Sequence, residues 1–353
     1  MTRLDNREHI ERNDPDGMLG HIMSFGDHLR TAGRTAGGAL AGMSIERPAA
    51  VVVAGMGGSA IAGDLIRGAL ADLLSVPMSV ARGYVLPAFV KRDTLVVASS
   101  YSGNTEETLS AHADAVARGA RVVCMTTGGR LAELADARGE PVVPLAAGLP
   151  PRAALGHGLA SLLSVLAAAG LTADPSDELA SMASAADSAA ARFAPEVPSD
   201  SNGAKGLAVW LDTGVPVVYG AEPHTAAVAT RWVGQLAENA KTVGHANVLP
   251  EMNHNEIVGY GDRRALGGMQ RVVFLRDADD HERIARRIAI TADVLSEEGV
   301  ESREVRSFGD TRLGRLVSLV LAGDYVSVYL AALRGIDPTP VEPIDRLKRA
   351  LSE

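Results

Sequence analysis

Two short stretches carry residue types that bind an anion without using charge. Ser100, Ser102 and Thr105 surround Gly103 in SSYSGNT, directly after the apolar run Leu95–Ala98 and directly before Glu106–Glu107. A strand that ends in hydroxyls and Gly, followed at once by a helix, aims three things at one point. These are loop N–H groups, the unpaired N–H groups of the helix's first turn, and the positive end of its dipole. The hydroxyls add donors without bulk, and Gly103 lets the backbone approach closely. No Lys or Arg lies in the loop, so the grip comes from neutral donors. The competing reading is an ordinary βα turn, because Ser, Gly, Asn and Thr are turn residues in any protein. Glu106 and Glu107 would repel a phosphate if they turned inward, so both are expected to project to solvent or toward a basic partner.

The second stretch is GMGGSA, where Gly57, Gly58 and Ser59 are expected to bring further donors to the same ligand. It also matches a G-x-G-x-x-A dinucleotide fingerprint. That reading needs an acidic residue at the end of the next strand, and Arg82 stands there instead, which fits at best an NADP phosphate.

Placing these loops requires strands and helices in alternation. AVVVA (50–54), Met78–Tyr84, Thr94–Ala98 and Ala120–Met125 read as strands separated by helices, the pattern of a parallel sheet covered on both faces. Ligands of such sheets sit beyond the carboxyl ends of the strands, where both loops fall. Pro141–Pro151 reads as a proline-punctuated connection. A second α/β block follows, with strands at Val215–Tyr219, Asn247–Leu249, Arg271–Arg276 and Ser302–Arg306, and helices at Thr225–Lys241, Glu282–Glu297 and Arg312–Leu333. The expected organisation is a helical segment (1–45, broken at Gly33, Gly37 and Gly38), a first α/β domain (46–151), interdomain helices (152–202), a second α/β domain (203–335) and a terminal helix (336–353).

Composition narrows the function. A net charge of −9 and a pI near 5.5 argue against a nucleic-acid footprint. One cysteine, Cys124, excludes an internal disulfide and suits a reducing cytoplasm. The opening MTRLDNREHIERNDPDG is charged, without the apolar core of a secretory signal. Ala153–Ala173 is uncharged and long enough to span a bilayer. It is built of Ala and Gly with His157, Ser161 and Ser164, so a buried interdomain helix is expected and no membrane partner. No His pair shows metal-ligand spacing, and no metal is expected.

GMGGSAIAGDL and SYSGNTEETL together resemble the sugar-isomerase (SIS) fold of phosphosugar-binding proteins. PRAAL (151–155), ENAK (238–241), PEMNHNEI (250–257) and DPTPVEPIDRLK (337–348) narrow the resemblance to the bifunctional phosphoglucose/phosphomannose isomerases, two-SIS-domain proteins of about this length. The resemblance implies two flavodoxin-like, doubly wound parallel-sheet domains plus a C-terminal helix. It further implies a cofactor-free, cytoplasmic homodimer with shared active sites, acting on sugar phosphates in glycolysis and gluconeogenesis. Gly57, Gly58, Ser59, Ser100, Ser102 and Thr105 then fall where that family holds the phosphate. Glu238 falls on the catalytic base, His254 on a ring-opening group, Arg152 on the residue that stabilises the intermediate, and Lys348 on a lysine assisting ring opening. Thr339 lies within a residue or two of a threonine implicated in accepting both epimers.

The chemistry agrees with those residue types. Moving a proton between C1 and C2 through a cis-enediolate needs a carboxylate, a cation or donor for the developing oxyanion, and an acid–base group for the ring oxygen. Each residue also has an ordinary explanation: a solvated helix carboxylate for Glu238, a surface histidine for His254, a solvent-reaching Arg152 and a solvated Lys348. Two other classes stay open here, another amino-sugar or sugar phosphate isomerase or deaminase, and a non-catalytic phosphosugar sensor. A glutamine-dependent synthase is excluded, since no nucleophilic cysteine follows Met1.

Overall fold

The computed structural model describes residues 2–261 and 269–351. β-Branched runs become fully buried strands: β1 (Ala50–Ala54) and β3 (Thr94–Ser99) expose no residue. With β2 (Met78–Ala81), β4 (Arg121–Thr126) and β5 (Val142–Pro144) they form a parallel sheet in the order β2-β1-β3-β4-β5. This is the flavodoxin-like winding, in which the direction of strand addition reverses between β1 and β3. The second sheet repeats the scheme with β6 (Val215–Ala221), β7 (His245–Leu249), β8 (Gln270–Arg276) and β9 (Glu301–Arg306), in the order β7-β6-β8-β9, again parallel throughout.

Helices cover both sheets and join them. In chain order they are α1 (Arg7–Arg12), α2 (Met18–Met23), α3 (Phe25–Leu40), α4 (Gly57–Ala69), α5 (Glu106–Ala117), α6 (Gly129–Arg138), α7 (Leu155–Ala168), α8 (Ser176–Phe193), α9 (Gly203–Leu211), α10 (Ala226–Ala240), α11 (Glu282–Glu297), α12 (Arg312–Arg334) and α13 (Glu342–Leu351). The largest apolar cluster runs from α3 and α7 through α4 to α10 and α12, so one core serves both sheets.

Some elements differ from the sequence reading. The Pro141–Pro151 connection contains β5, an edge strand of three residues that the flanking prolines disguised. The expected strand to Tyr84 ends at Ala81. The glycines of residues 25–40 do not break α3. A Cβ on Gly33 would lie 2.9 Å from Leu179 of α8, so small size there serves helix packing. Ala153–Ala173 is a short 3-10 turn (Pro151–Ala153) followed by α7, too short to cross a bilayer. Among the described residues α12 alone is long and apolar enough to do so, and 94% of its apolar window is buried inside the protein.

Candidate active site

The reversal point between β1 and β3 is where the two candidate anion-binding stretches emerge. Ser100 continues the sheet, its N–H donating to Met125 O at 3.0 Å, and then the chain turns. The Ser100 hydroxyl, 1% exposed, accepts from Gly103 N at 3.1 Å and Thr105 N at 3.4 Å and shares a hydrogen bond with the Thr105 hydroxyl at 2.8 Å. Ser100 therefore holds the loop's shape from inside. Gly103 has φ +71°, and a Cβ there would overlap Gly128 O, so only glycine closes this turn against the loop after β4. Ser102 stays exposed and accepts from Asn104 N at 3.2 Å.

Among the described residues no side chain caps the N-terminus of α5 at Thr105, nor that of α4 at Met56. Two helices thus present open N–H ends at one reversal point, the arrangement that favours an anion. Glu106 is exposed, with the Tyr84 hydroxyl 3.4 Å from its carboxylate, and among the described residues neither Glu106 nor Glu107 bonds into the loop. The equivalent reversal point of the second sheet is different. There the buried Asp277 and the half-buried Asp280 are paired with Arg315 and Arg276, so carboxylates occupy the place an anion would need.

The Gly57–Ser59 turn leads from the loop to the candidate chemistry. A Cβ on Gly58 would lie 2.9 Å from Pro151 O and 3.6 Å from Arg152 Cα, so the absent side chain lets the Pro151–Ala153 turn rest on the start of α4. Arg152 is 5% exposed and fully engaged. Its Nε donates to Asn239 Oδ1 at 2.7 Å, and its Nη2 donates to Pro338 O at 2.7 Å and Thr339 O at 3.0 Å. The remaining Nη1 stands 3.5 Å from Glu238 Oε2. Burial pulls the guanidinium below its ordinary value and Glu238 opposes that, so it stays a cation beside a carboxylate.

Glu238 itself is about one-third exposed (35%), its carboxylate reaching from the last turn of α10 to the open side of the cluster. The buried face of the same helix carries Arg231, Gln235 and Asn239, spaced four apart. Arg231 makes a two-pronged ion pair with Asp324 of α12 (3.0 and 2.6 Å) and donates to Arg152 O at 3.0 Å. Asn239 Nδ2 donates to Ser327 Oγ at 2.9 Å. These supporting residues were not singled out from the sequence. Their period of four on one helix was the available signal.

Two expected residues are carried by other elements. His254 ends a 3-10 turn (Glu251–His254) after β7; it is exposed and, among the described residues, not joined to the Arg152–Glu238 cluster. Its loop is anchored by Glu256, which accepts from the Tyr219 hydroxyl (2.5 Å) and pairs with His245 (3.0 Å) and Asn247. Lys348 sits on α13, no residue of which is buried. Thr339, by contrast, is in the cluster: its carbonyl is held by Arg152, and its hydroxyl is buried without a protein partner.

Cys124, the one cysteine, has two titratable neighbours. It lies with His112 and Glu140, their candidate ligand atoms all within 4.8 Å. His112 Nε2 and Glu140 Oε2 are 2.6 Å apart, Arg138 also pairs with Glu140, and burial pushes the thiol up to about 12. At neutral pH the trio is a satisfied His–carboxylate pair beside a protonated thiol. The guanidinium of Arg82, which stands where the dinucleotide reading required an acid, is turned onto Asp64 of α4.

Comparison with known proteins gives this geometry its relatives. Residues 200–351 match the family described as the bacterial phospho-glucose isomerase C-terminal SIS domain. A bifunctional phosphoglucose/phosphomannose isomerase of Caldicellulosiruptor bescii is 46% identical over 305 residues, 86% of this chain and 89% of that one. Its namesake from Aquifex aeolicus is 36% identical over 86% of this chain and 90% of its own. Among solved structures, a glucose-6-phosphate isomerase like protein of Thermus thermophilus aligns with a TM-score of 0.63 at 21% identity, over 99% of each chain. A hypothetical protein from the same organism reaches a TM-score of 0.76 at 16% identity, over 99% of this chain and 92% of its own. These structural likenesses speak for the fold.

Proposed function

The chain belongs to the bifunctional phosphoglucose/phosphomannose isomerases, and from that membership we propose how its residues perform the reaction. The enzyme interconverts glucose 6-phosphate and mannose 6-phosphate with fructose 6-phosphate. The phosphate docks at the open N-termini of α4 and α5. Backbone N–H groups at Gly57 and Gly58, the hydroxyls of half-buried Ser59 and exposed Ser102, and the Ser100–Thr105 pair provide the donors. Binding energy from this non-reacting group orients the sugar so that C1 and C2 lie against Glu238.

Glu238 then takes the proton from C2 of the open-chain aldose while the C1 carbonyl oxygen gains charge, forming the cis-enediolate. Return of that proton to C1, with transfer of the O2 proton, gives the ketose. Arg152 stabilises the oxygen charge. Because protein acceptors already fix its Nε and Nη2, it needs little reorganisation when that charge develops. His254 and Lys348 assist ring opening, and Thr339 lies in the 338–340 turn held against Arg152 beside Glu238.

His254 stands apart from this cluster, and α13 carries Ile344, Leu347 and Leu351 exposed along one stripe. Both features support a homodimer in which the partner's copy of the His254 loop or of α13 completes the site. The single cysteine suits a reducing cytoplasm, and interconversion of glucose 6-phosphate with fructose 6-phosphate suits a place in glycolysis and gluconeogenesis.

The observation that carries the reading is the buried Arg152, fixed by three protein acceptors and 3.5 Å from a half-open carboxylate. Glu238→Gln tests it. General-base loss costs roughly 10²- to 10⁴-fold in kcat, with KM for glucose 6-phosphate nearly unchanged. Wild-type turnover in a coupled assay would remove Glu238 as the base.

A further inference from the structure

Lys241 is a residue for which the reaction as derived above has no use, yet its placement is costly and specific. It ends α10 with φ +52°, the one positive φ at a non-glycine among the described residues, a conformation that disfavours any side chain with a Cβ. From there its ammonium donates to Glu238 O at 2.6 Å, Pro340 O at 2.6 Å and Pro338 O at 3.2 Å. Pro338 O also accepts from Arg152 Nη2, and Thr339 O accepts from the same nitrogen. Two cations therefore hold three consecutive carbonyls of the 338–340 turn, one from each side. A single side chain joins that turn to the backbone of Glu238. Within the turn, the Thr339 N–H is held by Asp337 Oδ1 at 2.9 Å, while the Thr339 hydroxyl is buried and unpartnered. Prolines at 338 and 340 have no N–H to donate, so the turn is short of the backbone bonds that would hold it by itself.

We propose that Lys241 is a positioning residue. Its ammonium clamps the 338–340 turn to the C-terminal end of α10 and so fixes the wall of the site next to Glu238, and with it the balance between the two aldose substrates. This rests on the site reading given above. Glucose and mannose 6-phosphate differ only in configuration at C2, the carbon from which Glu238 takes the proton. An enzyme that turns over both must hold the wall near C2 at a spacing that admits either hand. An unclamped turn changes that spacing, and displacements of about 1 Å near reacting atoms cost up to roughly 100-fold in rate. Arg152 cannot do this alone. Its grip on the turn uses one nitrogen, whereas Lys241 adds the outer carbonyl, Pro340 O, and the tie to Glu238.

The test uses the full chain with Lys241→Gly, Lys241→Met and Lys241→Arg, measuring kcat and KM for both aldose phosphates. Lys241→Gly suits the positive φ, so it removes the ammonium without straining the backbone. The Gly and Met variants are expected to change the ratio of the two kcat/KM values by about tenfold, mostly through kcat. Lys241→Arg, which keeps a cation, is expected to stay within about threefold of wild type. Hydrogen exchange at the Thr339 amide is expected to quicken by about tenfold in Lys241→Gly, reporting the freed turn without reference to activity. An unmoved ratio with unmoved exchange overturns the clamp. Equal losses for both substrates overturn its role in their balance. Full turnover in Glu238→Gln overturns the site reading and the clamp with it. An inactive Glu238→Gln beside an unaffected Lys241→Gly overturns the clamp alone.

Discussion

Replacing Arg231 by Met is the sharpest test of how Arg152, the proposed oxyanion stabiliser, is held. Arg231 and Asp324 are both almost fully buried between α10 and α12, joined at 3.0 and 2.6 Å, and Arg231 also donates to the carbonyl of Arg152 at 3.0 Å. Methionine fills similar volume but leaves the Asp324 carboxylate without its cation, a loss of about 3–5 kcal/mol. The freed Arg152 carbonyl adds about 1 kcal/mol, giving roughly 4–6 kcal/mol against a total stability of about 5–15. The double variant Arg231→Met/Asp324→Leu removes both charges, so most of that loss is expected to return, leaving about 1–2 kcal/mol.

Urea denaturation followed by tryptophan fluorescence reads this directly. Trp232 is buried beside the pair, donates to Leu319 O at 2.8 Å, and lies where a Cβ on Gly323 would go. Burial raises the Asp324 carboxyl above its ordinary value and Arg231 opposes that, so in Arg231→Met the group binds its proton more readily folded than unfolded. The single variant therefore gains stability, relative to wild type, as pH falls toward the carboxylate range. A loss below about 1 kcal/mol in the single variant, or a double variant as unstable as the single, would refute the argument.

Ser100→Ala and Ser102→Ala separate two roles in the phosphate loop. Ser100→Ala removes the internal pin and is expected to lower stability by roughly 1–2 kcal/mol as well as raise KM, whereas Ser102→Ala is expected to raise KM alone. Thermal unfolding beside steady-state kinetics distinguishes them, and an unchanged KM in the double variant would put the phosphate elsewhere. His157 of α7 stacks on His28 at 5.0 Å, and burial pulls its imidazole down to about 4, so it is neutral when folded. The unfolded chain binds that proton from near pH 6.5 downward, so folded stability falls as pH drops from about 6.5 to about 4, by up to about 3 kcal/mol. His157→Leu is expected to flatten that acid limb, and a limb of unchanged slope would show that other groups set it.

Much of the architecture was legible because its signals are local. Val51–Val53 and Leu95–Val97 alternate with helical segments, and that alternation alone demands a parallel sheet with both faces covered. The order β2-β1-β3-β4-β5 is not contained in that repeat, which other doubly wound orders share; only the family resemblance implied it. The strand β5 was missed because Pro141 and Pro144 carry a turn signal, and an edge strand needs few of its own N–H groups. Glu106 is exposed, as the repulsion argument required, and among the described residues half-buried Glu107 makes no bond into the loop.

The sequence by itself determined the donors. Small hydroxyl residues and glycines at a strand end shape the proposed anion cup through backbone geometry that is written into a few adjacent positions. Only the tertiary structure decided which charges meet. Arg152, Asn239 and Thr339 are far apart in the chain and converge because α7, α10 and α12 share one core, a result of side-chain packing that no local pattern encodes. Lys241 shows the same division. Its charge is plain in the sequence, but the carbonyls it holds lie about a hundred residues downstream, and they come within reach only when the helices have packed.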